Sequence, residues 1–219
     1  MRLPKRFPPA LALVLCATLL VAAAVIWVVT KPFASDRGRV LSVTIAGNLL
    51  HIDADYLRQN EQGRDGERSE IDVVARFPDF LPSRQGPRSS DREDDGQVVI
   101  TLMAPDDAVE PVERPAKLYS RFLEADVWTH PGGLIVRRFE RGSPYENEEL
   151  YMAPPEGRAF FARCMRPPAQ PDGLPDTCLT EVRQAGLQAL VRFPPHLLSD
   201  WQRLTEGLRG LIRSFMRPS

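Results

Sequence analysis

His51, Asp53 and Asp55 stand two residues apart in "NLLHIDADY", and that spacing is the first place where this sequence could do chemistry. Alternate residues of a strand project to one face, so an imidazole and two carboxylates would meet there as candidate metal ligands. The same spacing arises in any strand whose outer face is polar, so it does not by itself specify a metal. His130 lies in the turn-like "WTHPGG", and His196 stands just after the Pro194-Pro195 pair. Neither has a serine or cysteine nucleophile in a recognisable local context. The acidic pairs Asp94-Asp95, Asp106-Asp107 and Glu148-Glu149 offer the two carboxylates a glycosidase needs. Their polar or proline-flanked settings predict solvated surface instead. No glycine loop between a strand and a helix is present to cradle phosphate. No catalytic or cofactor-binding residue, and no cofactor, is assigned.

Two cysteines carry a different chemistry. Cys164 and Cys178 bracket "MRPPAQPDGLPDT", which has neither catalytic nor metal-ligand spacing. An even pair around a stiff, proline-rich loop predicts a disulfide formed in an oxidising compartment.

The elements that must position these residues are short. The chain has 219 residues, room for one ordinary domain, and 43% are hydrophobic, enough for a core. Its 21 prolines are about twice the usual share and punctuate the chain, as in a β-rich domain with irregular connections. Strand patterns occur in "VLSVTIAGNLLHI", with a tight turn at Ala46-Gly47-Asn48, in "IDVVARF" (71–77) and in "QVVITLM" (97–103). Later come "LIVRRFE" (134–140), "ELYMA" (149–153), "AFFARC" (159–164), "LTEVR" (179–183) and "LQALVRF" (187–193). The last two are joined at Gln184-Ala185-Gly186, and together they predict an antiparallel meander. "RPAKLYSRFLEAD" (114–126) predicts a short helix, with Pro115 at its first position. From Pro194-Pro195 onward, Leu197, Leu198, Trp201, Leu204, Leu208, Leu211, Ile212 and Phe215 form one apolar stripe. Such a stripe either covers a sheet face or lies on lipid or a partner. The sheet needs a cover, which favours the first.

The opening residues point to a membrane. From Ala10 to Val29 there is no charge, a span of about 30 Å as a helix. Ala22-Ala23-Ala24 would suit a cleaved signal, but the apolar run continues through Val29, and Trp27 and Lys31 sit where interfacial anchors belong. Cys16 follows Leu15, not the small residue that lipid attachment wants. Residues 1–33 carry Arg2, Lys5, Arg6 and Lys31, a local +4 against a total of −1, leaving −5 on the rest. The expectation is therefore a cytoplasmic tail (1–9), a transmembrane anchor (10–30), a linker (31–39) and a periplasmic body (40–216). Polar mobile insertions are expected within that body at 59–70 and 83–96. The acidic body gives no reason to expect nucleic acid as a partner.

"IAGNLLHIDADYLR", "IDVVARFPDFLP" and "VRFPPHLLSDWQRLTEGLRGLIRSF" together resemble a group of uncharacterised, single-pass, envelope-anchored proteins of alphaproteobacteria. The resemblance implies the same fold and compartment, and it carries no activity. The fold class expected is α+β: an N-terminal transmembrane helix, then an antiparallel β-sheet domain covered by a C-terminal amphipathic helix. The function expected is a non-enzymatic protein-interaction module in the bacterial inner membrane, facing the periplasm. Its partners would be the lipid bilayer and an envelope protein, or a toxin that it neutralises. The alternative is a small-molecule or cell-wall-binding domain, with or without hydrolytic activity, using the His51/Asp53/Asp55 face or the "WTHPGG" loop.

Overall fold

A computed structural model describes residues 38–58, 63–82, 96–106, 108–166 and 177–217. The chain begins with a hairpin of β1 (Val40–Ile45) and β2 (Asn48–Asp53), in register from Val40↔Asp53 to Ile45↔Asn48. Ala46 and Gly47 turn it with φ of +49° and +78°. Two positive φ in succession match the right-handed twist of the paired strands. β3 (Gly66–Glu67) lies parallel to β1 on its other side, which completes a three-stranded sheet. Asp65 fastens it by accepting from the Ser42 N–H at 2.9 Å and pairing with Arg39 at 3.3 Å. The Ser42 N–H, with Arg39 adding its charge, holds the Asp65 carboxyl below the usual aspartate range. From residue 63 onward, then, the insertion expected at 59–70 is drawn into the sheet. Residues 59–62 and 83–95 lie outside the described residues.

Nine further strands make one antiparallel sheet. They are β4 (Glu70–Arg76), β5 (Leu81–Pro82), β6 (Gln97–Met103), β7 (Trp128–His130), β8 (Leu134–Arg138), β9 (Glu148–Met152), β10 (Phe161–Met165), β11 (Cys178–Gln184) and β12 (Leu187–Phe193). Their spatial order is β5-β4-β6-β12-β11-β10-β9-β8-β7, so β8 to β12 form the expected meander, and β7, from the segment read as turn-like, adds a strand at its end. Ala185 and Gly186 join β11 to β12 with φ of +52° and +78°, the same turn as in the first hairpin. The two tips meet where Asn48 Nδ2 donates to the Gly186 carbonyl at 3.5 Å.

Alternation decides what each face buries. Val73, Ile100, Ala189 and Val191 lie in register on one face and are at most 1% exposed. They join the inner residues of the β1–β2 hairpin and the stripe of the terminal helix in one core. That helix, α1 (Trp201–Phe215), follows a 3-10 turn at Pro195–Asp200 and buries Leu204, Leu208, Leu211, Ile212 and Phe215. Each buried side chain of this size contributes about 2 kcal/mol of transfer free energy. On the opposite face Phe161, next to Ala162 of the main core, joins a second cluster with Tyr119, Leu123, Phe139 and Leu150.

Two expectations change. The segment 114–126 is not a regular α-helix. It runs as a 3-10 turn at Pro111–Glu113, a π turn at Pro115–Tyr119 and a 3-10 turn at Ser120–Phe122. Pro111 and Pro115 remove backbone donors close together, and the last π bond is Ser120 N–H to the Pro115 carbonyl.

The fold class that began with a transmembrane helix is also corrected. Among the described residues no helix is long and apolar enough to cross a membrane. At 15 residues α1 spans about 22 Å, short of the roughly 30 Å hydrocarbon layer, and its outer face carries Arg203, Arg209 and Arg213. The fold described is α+β, two sheets and one amphipathic helix. Residues 10–30, on which the expected anchor and its contact with the lipid bilayer rest, lie outside the described residues.

Candidate functional site

The strand alternation that would gather His51, Asp53 and Asp55 stops at Asp53, two residues short of Asp55. His51 lies in β2 opposite Ser42, and Asp53 is the last strand residue, opposite Val40. The Asp53 carboxylate accepts from the Asp55 N–H at 2.9 Å and caps the 3-10 turn Ala54–Tyr56. Asp55 therefore turns away from the strand that holds the other two. Among the described residues no group of three His, Cys, Asp or Glu is placed to hold a metal ion.

The "WTHPGG" loop has a more organised setting. Trp128, Thr129 and His130 form β7, the last strand of the nine, with β8 on one side and, among the described residues, no strand on the other. The loop is fixed to the terminal helix: Trp201 Nε1 donates to the Gly132 carbonyl at 3.1 Å. A Cβ at Gly132 would lie 2.8 Å from the Ser199 carbonyl oxygen, so only glycine permits this approach. Register brings Trp128 and His130 onto the face that also carries Arg138, Glu149 and Tyr151. The Arg138 guanidinium lies 5.0 Å from the Trp128 ring centroid, and Arg138 Nε reaches Glu149 at 3.2 Å. The Tyr151 hydroxyl donates to Glu149 Oε2 at 3.1 Å, and the His130 ring meets Tyr151 edge-on at 5.4 Å. Burial, then the neighbouring Glu149 charge, pushes the Tyr151 phenol well above its usual range. It stays a hydrogen-bond donor at neutral pH. The carboxylate is thus taken up by a phenol and a guanidinium, an arrangement suited to presenting Trp128 and Arg138 rigidly at an open edge. Trp and Arg are the side chains that most often anchor protein interfaces.

Two charged arrangements on the opposite face escape sequence reading. Arg163 sits between Tyr145 and Tyr119, at 4.8 and 5.5 Å from their centroids, and bonds Glu148 at 2.8 Å. Burial raises the Glu148 carboxyl above its usual range, with Arg163 opposing. Arg114 pairs with Glu181 and reaches Asp106 at 3.4 Å, while Arg183 bonds Asp106 at 3.1 Å and Gln188 Oε1 at 3.0 Å. Glu148 and Glu149 are therefore partly buried and ion-paired rather than solvated, which corrects the expectation for them, while Asp106 keeps its exposed position as it pairs with Arg114 and Arg183. Asp94, Asp95 and Asp107 lie outside the described residues. No spacing rule could pair Arg114 with Glu181, because 67 residues separate them.

Cys164 and Cys178 are joined in a disulfide between directly opposed residues of β10 and β11. Beyond it the two strands part. β11 pairs with β12 at seven positions but with β10 only at Arg163↔Leu179 and Cys164↔Cys178. A cleft of about 280 Å³ opens where they diverge, between Phe160–Phe161, Thr180–Arg183, the Pro111–Val112 turn and the Leu208–Arg209 side of α1.

No family profile matches the chain, and no curated protein matches it either. Two solved structures are similar. Smlt3025, an immunity protein of the Stenotrophomonas maltophilia type IV secretion system, aligns at 16% identity and a TM-score of 0.58, over 86% of this chain and 100% of that one. FrpD, an iron-regulated outer membrane lipoprotein of Neisseria meningitidis, aligns at 10% identity and a TM-score of 0.40, over 83% and 94%. At 16% identity the likeness to the immunity protein is one of fold.

Proposed function

We propose that this chain is a non-enzymatic protein-binding domain of the bacterial cell envelope that engages a partner protein along the open edge of β7, as an immunity protein engages a toxin. The observation that carries the reading is the edge itself. Among the described residues β7 has no strand on one side of its backbone, beside Trp128 braced by Arg138 and next to Val127, which is 59% exposed. The other end of the same sheet closes with the two-residue β5, whose Pro82 has no N–H to offer an added strand. Strand addition at β7, anchored by Trp128, is the binding mode this asymmetry suits. The disulfide supports an oxidising compartment such as the periplasm. The whole-length fold likeness to a secretion-system immunity protein supports a neutralising role.

A photo-crosslinking residue placed at exposed Thr129 in the native bacterium tests this, with exposed Lys117, which lies outside the β7 edge, as control. The expected result is one discrete protein adduct from Thr129 that weakens with Trp128→Ala and is absent from Lys117. Adducts at Lys117 but none at Thr129, or none at either, would overturn the β7 reading.

A further inference from the structure

The cleft between β10 and β11 is formed by a break in the sheet. Continuing the register from Arg163↔Leu179 would set Phe161 opposite Glu181, with the Phe161 carbonyl accepting from the Glu181 N–H. The Thr180 hydroxyl bonds that carbonyl instead, at 2.5 Å. Alternation along β11 settles which backbone groups face the opening. Gln184 closes the two-residue hairpin to β12, so Gln184 and Val182 bond toward β12, while Arg183 and Glu181 turn their N–H and C=O toward the cleft. Both acids that line the cleft are taken up: Glu110 by Arg183, and Glu181 by Arg114 and Gln188. Arg158, which also pairs with Glu156 at 3.2 Å, and Arg209 are both exposed at its rim. One wall is apolar, with Pro111 and the 45% exposed Val112, and the helix wall joins Leu208 to Arg209.

We infer that this cleft is a second contact site, which takes a short extended segment of a partner protein as an added strand on β11. The segment alternates an apolar side chain toward Pro111 and Val112 with an acidic one toward Arg209 and Arg158. The inference rests on the reading of the chain as a protein-binding domain and adds the chemistry of what is bound. Successive side chains of a strand point to opposite faces, so one set meets Pro111 and Val112 and the other meets the helix wall, where Arg209 stands beside Leu208. The backbone of Glu181 and Arg183 supplies the ladder, and the arginines select charge.

The test is a positional-scanning hexapeptide library applied to the full chain and to Arg158→Glu/Arg209→Glu, a pair of exposed substitutions that leaves the core intact. The expected selection enriches Asp and Glu at least about fivefold at one position, with apolar residues one place away, and shifts to Lys and Arg in the charge-reversed chain. With the best peptide bound, amide exchange of Glu181 and Arg183 slows at least about tenfold. No charge preference, a preference that charge reversal does not move, or unchanged exchange at these two amides would overturn the site. Persistence of the Thr129 adduct in the charge-reversed chain, with no peptide selected by either chain, would remove the cleft and leave the β7 reading standing.

Discussion

Arg114 and Glu181 place two opposite charges where little solvent reaches, with side chains 11% and 6% exposed. Removing one partner of such a pair strands the other charge, at a cost of about 3–5 kcal/mol, whereas replacing both with apolar groups of similar size costs far less. Glu181→Leu alone is therefore expected to destabilise the chain strongly, and Glu181→Leu with Arg114→Met to recover most of the loss. Denaturant melts of the single and double variants measure this, and a double variant as unstable as Glu181→Leu would show that the pair is not the cause. At this scale the sequence was least informative. The acids read as solvated surface include Glu148 and Glu149, which the fold half-buries against Arg163 and Arg138. The His51, Asp53 and Asp55 spacing was legible, but Asp53 caps a turn, and that ends the strand the spacing assumed.

The helix α1 was legible in outline because its stripe has the 3.6-residue period, yet the role of each of its glycines depends on what it meets. A Cβ at Gly207 would lie 2.0 Å from the Phe80 ring, while one at Gly210 meets nothing within 4 Å. Phe80 itself is held at φ +56° and is 5% exposed, so its ring cannot easily withdraw. Gly207→Ala is thus expected to cost about 1–3 kcal/mol through overpacking, despite the better helix propensity of alanine. Gly210→Ala, with the same change in propensity and no clash, is expected to stabilise by about 0.5–1 kcal/mol. Thermal melts of the two variants should move in opposite directions; movement the same way would show that the Phe80 contact does not govern Gly207. The 111–122 segment marks the opposite case. Pro115 signals a helix start, but a second proline four residues before it and the packing of Tyr119 and Leu123 on the sheet yield mixed 3-10 and π turns.

Over the whole molecule the disulfide is the one covalent link between distant parts of the described chain. It closes a ring across 14 residues at the junction of β10 and β11, and both cysteines are at most 3% exposed. In the chain-entropy description a ring of this size stabilises by about 3 kcal/mol. Reduction under conditions that expose it is expected to lower Tm by about 6–12 °C for a domain of this length. Thiols that alkylate fully in the native chain without reductant would contradict the bond. The effect reaches past the loop, because β10 and β11 pair only at and next to this link. Loosening it is expected to widen the split that forms the cleft.

What the sequence determined by itself is local: both hairpin turns, the order of the meander, the period of the terminal helix and the pairing of the two cysteines. Each follows from residues within a few positions or, for the cysteines, from there being one pair outside the opening apolar stretch. Only the tertiary structure decided which edges stay open, because an edge is defined by the neighbour a strand lacks, and neighbours such as β6 and β12 are far apart in sequence. The same reason hid the bracing of Trp128 by Arg138, the ion pair of Arg114 with Glu181 and the cleft beside β11. Charge and periodicity along a chain say which groups prefer water, and packing then decides which of them lose it and what they meet when they do.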